Sequence, residues 1–206
     1  MSGTPTLLFS EEAIERRVRE LGEEITRDFR GRSPVLISVL KGGMVFLADL
    51  IRRIDLPLRV DFMSISKYRG SPEDTGVVRI LKDLDEAIGG EDVLIVEDII
   101  DTGLTLSYLL TALWAREPAS LQVCTLLDKS ARRIPPLEIR YRGFDCPDRF
   151  VVGYGLDHEE RFRNLPFILA MPSRHAGEEW PSLEPYLGHV PSRPGGDRGA
   201  EPAAGN

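Results

Sequence analysis

The sequence contains few residues that cross-link a protein or anchor it in a membrane. Its 206 residues include two cysteines, Cys124 and Cys146, and neither belongs to a Cys-x-x-Cys pair or a cysteine–histidine cluster. We therefore expect neither a zinc site nor a disulfide framework. No run reaches the roughly 18 uninterrupted apolar residues of a membrane-spanning helix, and no basic segment precedes an apolar one at the N-terminus. These absences predict a cytoplasmic protein that does not bind a membrane.

The sequence also lacks an excess of basic residues. It has 33 acidic side chains against 26 basic ones, which gives a net charge of −7. Because a negative protein repels phosphate backbones, the charge predicts that nucleic acid is not a partner. A small anionic ligand stays compatible with this charge, since a local site can be positive on a protein that is negative overall.

Composition divides the chain into two parts. Residues 173–206 contain five prolines and six glycines among 34 residues, whereas residues 1–172 have the composition of a folded domain. We predict one domain over residues 1–172 and a solvated, disordered tail over residues 173–206. The alternative is that a short piece of the tail docks onto the domain through its apolar residues, which are Trp180, Leu183, Tyr186, Leu187 and Val190.

The spacing of apolar residues predicts an α/β domain. Apolar residues three or four positions apart place helices over residues 11–29, 46–54 and 105–116. Short apolar runs predict strands over residues 34–40, 60–65, 77–81, 93–96, 121–127, 150–152 and 167–171. Strands that alternate with helices imply a largely parallel sheet, and ligands of such sheets bind beyond the carboxyl ends of the strands.

The segment VLIVEDIIDTGLTL, residues 93–106, carries the strongest functional pattern. A buried strand leads into Glu97 and Asp98, and Asp101 then opens a glycine-containing turn before a helix. Backbone N–H groups in such a turn form a phosphate cradle that the helix dipole strengthens. The two carboxylates suit the hydroxyl groups of a sugar or a hard cation such as Mg²⁺. Either feature alone is often only a solvated loop, and their ordered combination is more specific.

This segment closely resembles the phosphoribosyl-pyrophosphate (PRPP) motif of type I phosphoribosyltransferases, and its EDIIDTG core resembles the hypoxanthine (6-oxopurine) members. Other family segments follow in order: LKGG at 40–43, SKYRG at 66–70, LLDK at 126–129 and PDRFVVGYGLD at 147–157. The resemblance covers about residues 7–171. It implies the type I phosphoribosyltransferase fold, with a mostly parallel central sheet flanked by helices, a small hood region and a mobile loop over residues 66–76.

The resemblance also implies a role for individual residues. Asp101 is the expected general base at purine N7, although a helix N-cap is the alternative. Glu97 and Asp98 are expected to hold the ribose hydroxyls and Mg²⁺, with Asp157 as a further metal ligand. The remaining implied contacts are Lys41, Gly42 and Arg163 for pyrophosphate, Thr102, Gly103, Leu104 and Thr105 for the 5′-phosphate, Lys129, Phe150 and Val151 for the purine, and Ser66 and Tyr68 in the mobile loop.

Lys129 is the residue that indicates which base is bound. A lysine ammonium donates hydrogen bonds and cannot accept them, so it suits a 6-oxo group and is a poor match for the amino group of adenine. Phe150 is expected to stack on the base, with an ordinary core phenylalanine as its alternative. The resemblance further implies a non-proline cis peptide in the loop that contains Lys41.

Two residues depart from the family pattern. Leu104 stands where relatives usually carry a lysine or a polar residue, and Lys67 replaces a small residue. Loss of a direct side-chain donor at position 104 would weaken PRPP binding by about 1–2 kcal/mol. Because the cradle works mainly through backbone amides, we expect activity to survive this change.

These observations predict a purine salvage enzyme. It would transfer phosphoribose from PRPP to N9 of hypoxanthine, and of guanine, with Mg²⁺ as cofactor and pyrophosphate as the second product. The resemblance implies a homo-oligomer, either a dimer or a tetramer. Two alternatives stay open: a regulatory protein with a PRPP motif that binds nucleotides and RNA, and a sister phosphoribosyltransferase for another base. The first alternative needs a basic face, which the net charge disfavours.

Overall fold

A computed structural model describes residues 4–67, 78–173 and 179–187. Its helices are α1 (Glu11–Asp28), α2 (Gly43–Ile51) and α3 (Leu104–Trp114), with single 3-10 turns at Ser130–Arg132 and Glu184–Tyr186. Its strands are β1 (Thr6–Phe9), β2 (Val35–Leu40), β3 (Arg59–Lys67), β4 (Val78–Lys82), β5 (Asp92–Ile100), β6 (Ser120–Asp128), β7 (Tyr141–Asp145), β8 (Val151–Val152) and β9 (Ile168–Ala170).

The central sheet has six strands in the order β4-β3-β2-β5-β6-β7. All neighbouring pairs are parallel except β3 and β4, which are antiparallel. A second sheet of order β1-β9-β8 is antiparallel and corresponds to the expected hood. The predicted α/β fold of the type I phosphoribosyltransferases is therefore confirmed.

Helix α1 forms where the sequence predicts it. The Ser10 side chain accepts a hydrogen bond from the backbone N–H of Ala13 at 3.3 Å and caps the helix. Glu11 and Glu12 follow in the first turn, where the helix dipole favours negative charge. The apolar stripe of the helix is buried against the central sheet, so its burial fixes the orientation of α1.

The central sheet is covered on both faces. Leu94 and Val96 of β5 pack in one apolar cluster with α1 and α2, while Val93 and Ile95 pack in another with α3. Alternate residues of β5 thus point to opposite layers, and all four are fully buried. This explains why the strand reads as a continuous apolar run. No helix among the described residues is both long and apolar enough to cross a membrane.

Several elements differ from the sequence predictions, among them α2, which spans Gly43–Ile51 instead of residues 46–54. β5 continues to Ile100 instead of ending at Val96, because its pairing with β6 extends that far. Consequently Glu97 and Asp98 lie inside the strand and not after it. Strands β1 and β7 were not predicted, since each is short and β7 has polar residues and a glycine.

Residues 179–187 pack against the domain, as in the alternative of a docked piece of the tail. Leu183 is 2% exposed and packs against Val152, Leu165, Leu169 and Met171. These four side chains come from the hood and from the segments beside it, so the docking surface exists only in the folded chain. The other tail positions, 174–178 and 188–206, lie outside the described residues.

Candidate active site

The carboxyl ends of the parallel strands open into a cavity of about 550 Å³. Its wall combines the loop after β2, the end of β5 with the turn after it, and the segment after β8. The predicted site residues that line it are Lys41, Gly42, Glu97, Asp98, Asp101, Thr102, Gly103, Thr105, Asp157 and Arg163. The topology therefore brings together most of the residues that the sequence assigned to ribose, phosphate and metal.

Glu97 and Asp98 are half-buried in the wall of this cavity. Burial raises the pKa of Glu97 well above its ordinary value, and the neighbouring Asp98 charge raises it further. Burial also raises the pKa of Asp98 to about 6, although the backbone N–H of Ile99 opposes this by donating to Oδ1 at 2.8 Å. Without a ligand, ionisation of the two carboxyl groups is therefore less favourable than it is in water.

Gly42 lets the loop after β2 fit against this acidic pair. A Cβ atom at position 42 would lie 1.7 Å from Oδ2 of Asp98, so only glycine allows this approach. A Cβ atom at Gly155 would in turn lie 2.3 Å from the Gly42 carbonyl oxygen. The peptide bond between Leu40 and Lys41 is cis, as the resemblance implies.

The turn between β5 and α3 has the form of an anion cradle. Gly103 adopts a left-handed conformation with φ of 80° and precedes the first residue of α3. The Thr102 carbonyl accepts a hydrogen bond from the Ile134 N–H at 2.9 Å, which fixes the turn from outside. The N-terminus of α3 borders the cavity, and the free backbone N–H groups at a helix N-terminus favour an anion. The side chain of Leu104 is exposed and contributes no donor.

Asp101 stands at the edge of the cavity and forms an ion pair with Arg132 at 2.9 Å. Arg132 also binds Asp148 at 2.9 Å, so one guanidinium joins the expected general base to the segment that carries Phe150. The sequence predictions missed Arg132. Its position three residues after Lys129 could have indicated this role, because the single 3-10 turn at Ser130–Arg132 keeps it close to the site.

Lys41 and Arg163 both contact a carboxylate that the sequence predictions also missed. Glu160 accepts from the Lys41 ammonium at 2.7 Å and from the Arg163 guanidinium at 3.3 Å. Arg163 additionally pairs with Asp157 at 2.9 Å. The two cations that the sequence predictions assign to pyrophosphate therefore share one carboxylate.

The predicted base-binding residues lie beside the cavity and not in its wall. Lys129 is 7% exposed, and its backbone N–H donates to the Ile100 carbonyl at 2.9 Å. Among the described residues, no hydrogen bond or ion pair occupies its ammonium group. Val151 is buried in β8, whereas Phe150 keeps 43% of its surface exposed. Lys129 is thus a buried cation whose backbone is hydrogen-bonded to the residue before Asp101.

The residues of the predicted mobile loop are only partly within the described ranges. Ser66 is half-buried in β3 and pairs with Arg79 of β4, and it does not belong to the cavity wall as described. Tyr68 lies outside the described residues, as does the side chain of Lys67.

The acidic residues fit a hard cation only as a partial ligand set. Within residues 4–67, 78–173 and 179–187, no three His, Cys, Asp or Glu side chains come close enough to hold a metal ion by themselves. Burial is the main reason that the pKa of Asp98 is raised, and the charge of Asp157 raises it further. These two carboxylates therefore influence each other across the site. Carboxylate oxygens are ligands that Mg²⁺ prefers when substrate phosphates complete its shell.

Comparison with known proteins agrees with this geometry. The phosphoribosyl transferase domain model matches residues 7–159. A hypoxanthine-guanine phosphoribosyltransferase from Bacillus subtilis is 50% identical over 162 residues, which are 79% of this chain and 90% of the relative. One from Mycobacterium avium is 50% identical over 175 residues, 82% of this chain and 86% of the relative. A crystal structure of a hypoxanthine-guanine phosphoribosyltransferase from Bacillus anthracis superimposes with a TM-score of 0.77 at 49% identity, covering 81% of this chain and 98% of that one. The chain therefore belongs to the phosphoribosyl transferase family, among its hypoxanthine-guanine phosphoribosyltransferases.

Proposed function

We propose that the chain transfers the phosphoribosyl group of PRPP to N9 of hypoxanthine or guanine and releases pyrophosphate. One observation carries this proposal: a single cavity is lined by the carboxylates of β5, the anion cradle before α3 and the Lys41 and Arg163 pair. These three parts match the ribose, the 5′-phosphate and the pyrophosphate of PRPP.

The residues of the cavity account for the binding of PRPP. Backbone amides from Asp101 to Thr105, with the Thr102 and Thr105 hydroxyls, bind the 5′-phosphate. Lys41 and Arg163 bind pyrophosphate once Glu160 leaves them, and the Gly42 amide faces the same group. Glu97 and Asp98 accept hydrogen bonds from the ribose hydroxyls. Their negative charge also stabilises positive charge that develops on the ribose as pyrophosphate departs.

The purine site lies on the other side of Asp101. Lys129 donates a hydrogen bond to the 6-oxo group, Val151 offers its backbone to the purine edge, and Phe150 stacks on the ring. Asp101 exchanges a proton with N7 of the base. This arrangement holds N9 in line with the ribose carbon, so that positioning supplies much of the catalysis.

Magnesium is the cofactor that the carboxylates fit. We propose that it takes its protein ligands from among Glu97, Asp98 and Asp157 and the others from oxygen atoms of PRPP, because these carboxylates do not form a complete metal site in the described residues. When bound, Mg²⁺ neutralises charge on the leaving pyrophosphate. The raised pKa values of Glu97 and Asp98 support this assignment, since a cation nearby makes their ionised forms favourable.

The test is whether the purified chain forms IMP from hypoxanthine and GMP from guanine when PRPP and Mg²⁺ are supplied. Nucleotide formation that stops when Mg²⁺ is chelated supports both parts of the proposal. Salt-dependent binding of RNA without any nucleotide formation would instead favour the regulatory alternative. A homo-oligomer and a cytoplasmic location complete the proposal, and sedimentation of the purified chain tests the first of these.

A further inference from the structure

The segment 179–187 is attached to the domain next to the expected purine site. Leu183 inserts into the apolar cluster of the hood, and the Tyr186 hydroxyl donates to the Pro5 carbonyl at 3.2 Å. The Tyr186 ring also meets Phe167 edge-on at 6.5 Å. Contacts with three separate parts of the chain hold this segment in one position.

This attachment places Trp180 against Phe150. The two ring centroids are 5.2 Å apart with an angle of 30° between the planes. His158 meets both rings edge-on, at 5.9 Å from Phe150 and 5.7 Å from Trp180. The three rings form a cluster that we call the aromatic clamp. Such distances and angles are those of favourable aromatic pairs.

Part of the Phe150 side chain remains exposed to solvent although it belongs to the aromatic clamp. Its exposed fraction is 43%, although Trp180 and His158 both contact its ring. Its backbone is held in place, because the Phe150 carbonyl accepts a hydrogen bond from the Met171 N–H at 2.8 Å and strand β8 follows, so only the direction of the ring is left to be set. The orientation of the Phe150 ring therefore depends on its side-chain neighbours.

We propose that Trp180 is a positioning residue for purine binding, in that it covers one side of Phe150 and leaves the other side for the base. This inference rests on the proposed function, in which Phe150 stacks on the purine. Trp180 would not touch the substrate. It would keep the Phe150 ring in the orientation that stacking requires, so its loss should weaken purine binding and leave PRPP binding intact.

The experiment compares steady-state constants of wild-type protein with those of Trp180→Ala and Trp180→Phe. We expect Trp180→Ala to raise the KM for hypoxanthine by roughly 3- to 10-fold, the effect of losing one aromatic pair. The KM for PRPP should stay within about twofold, a change of less than 0.5 kcal/mol. Trp180→Phe should restore the hypoxanthine KM because it keeps a ring against Phe150.

Two further variants separate positioning from general damage. Leu183→Ala keeps Trp180 and loosens its attachment, so it should raise the hypoxanthine KM as well. Trp114→Phe is the matched control, because Trp114 ends α3 and is 51% exposed, and it should change neither KM. Thermal unfolding of each variant shows that the changes in KM do not come from unfolded protein.

Three results would overturn the inference: a hypoxanthine KM unchanged in Trp180→Ala, an equal rise in both KM values, or a lower hypoxanthine KM. The last would mean that Trp180 obstructs the base. Failure of the proposed function looks different, since wild-type protein itself would then form no nucleotide. Normal wild-type turnover with an unaffected Trp180→Ala variant would contradict this inference alone.

Discussion

Asp98→Asn should stabilise the protein without ligands while it weakens PRPP binding. The substitution keeps the size of the side chain, and the amide oxygen can still accept the hydrogen bond that the Ile99 N–H donates at 2.8 Å. It removes the negative charge beside Gly42 in the wall of the cavity. The negative charge of Asp98 lowers the stability of the free protein and favours substrate binding, so the site trades stability for activity.

The magnitude follows from the pKa of Asp98. Burial raises it from 3.8 to about 6, and this difference corresponds to about 3 kcal/mol at neutral pH. The pKa of Asp98 is higher in the folded protein than in the unfolded chain. Its charge therefore does not lower the stability of the folded protein below about pH 4, and the loss of stability grows as the pH rises to about 6. The stability gain of Asp98→Asn should therefore be small at pH 4 and largest near pH 7.

Urea unfolding of both proteins between pH 4 and pH 7.5, without Mg²⁺ and PRPP, measures this difference. Asp145→Asn is the control, since that side chain is 75% exposed and its change should stay within about 0.5 kcal/mol. Adding Mg²⁺ and PRPP should stabilise wild-type protein far more than the variant. A variant that is no more stable than wild type at pH 7, or a gain that does not vary with pH, would refute the reasoning.

Two other substitutions test separate parts of the site. Asp101→Asn should lower kcat by about 10²- to 10⁴-fold with little change in either KM, because an amide cannot take up the N7 proton, and an unchanged kcat in steady-state assays would remove the general-base role. Leu104→Lys should lower the KM for PRPP by roughly 5- to 30-fold, since it adds a cation at the exposed start of α3, and an unchanged KM would mean that the cradle binds phosphate through its backbone alone.

The central part of the site was predictable because its signals are local. The apolar run of β5, the acidic pair and the turn at Gly103 follow one another along the chain. One segment therefore specifies both the strand and the cradle. The rule that ligands bind at the carboxyl ends of parallel strands then places Lys41 and Gly42 at the same edge of the sheet. The roles of these residues toward substrates remain predictions.

Residues that act through distant partners were not predictable in the same way. Glu160 meets Lys41 across 119 positions of the chain, and nothing local marks that pairing. The sequence offers Leu183 and Trp180 as docking residues of the tail, but it gives no sign of the partners that they meet. Their partners, Leu169 and Phe150, come together only when the hood has formed.

A competition assay across purine bases tests the central claim most directly. Wild-type protein would receive PRPP, Mg²⁺ and equal amounts of hypoxanthine, guanine, xanthine and adenine, and the nucleotides formed would be separated and counted. We expect IMP and GMP with almost no AMP, because the ammonium of Lys129 suits a 6-oxo group and not a 6-amino group. Absence of both IMP and GMP, or AMP formed as fast as either, would contradict it.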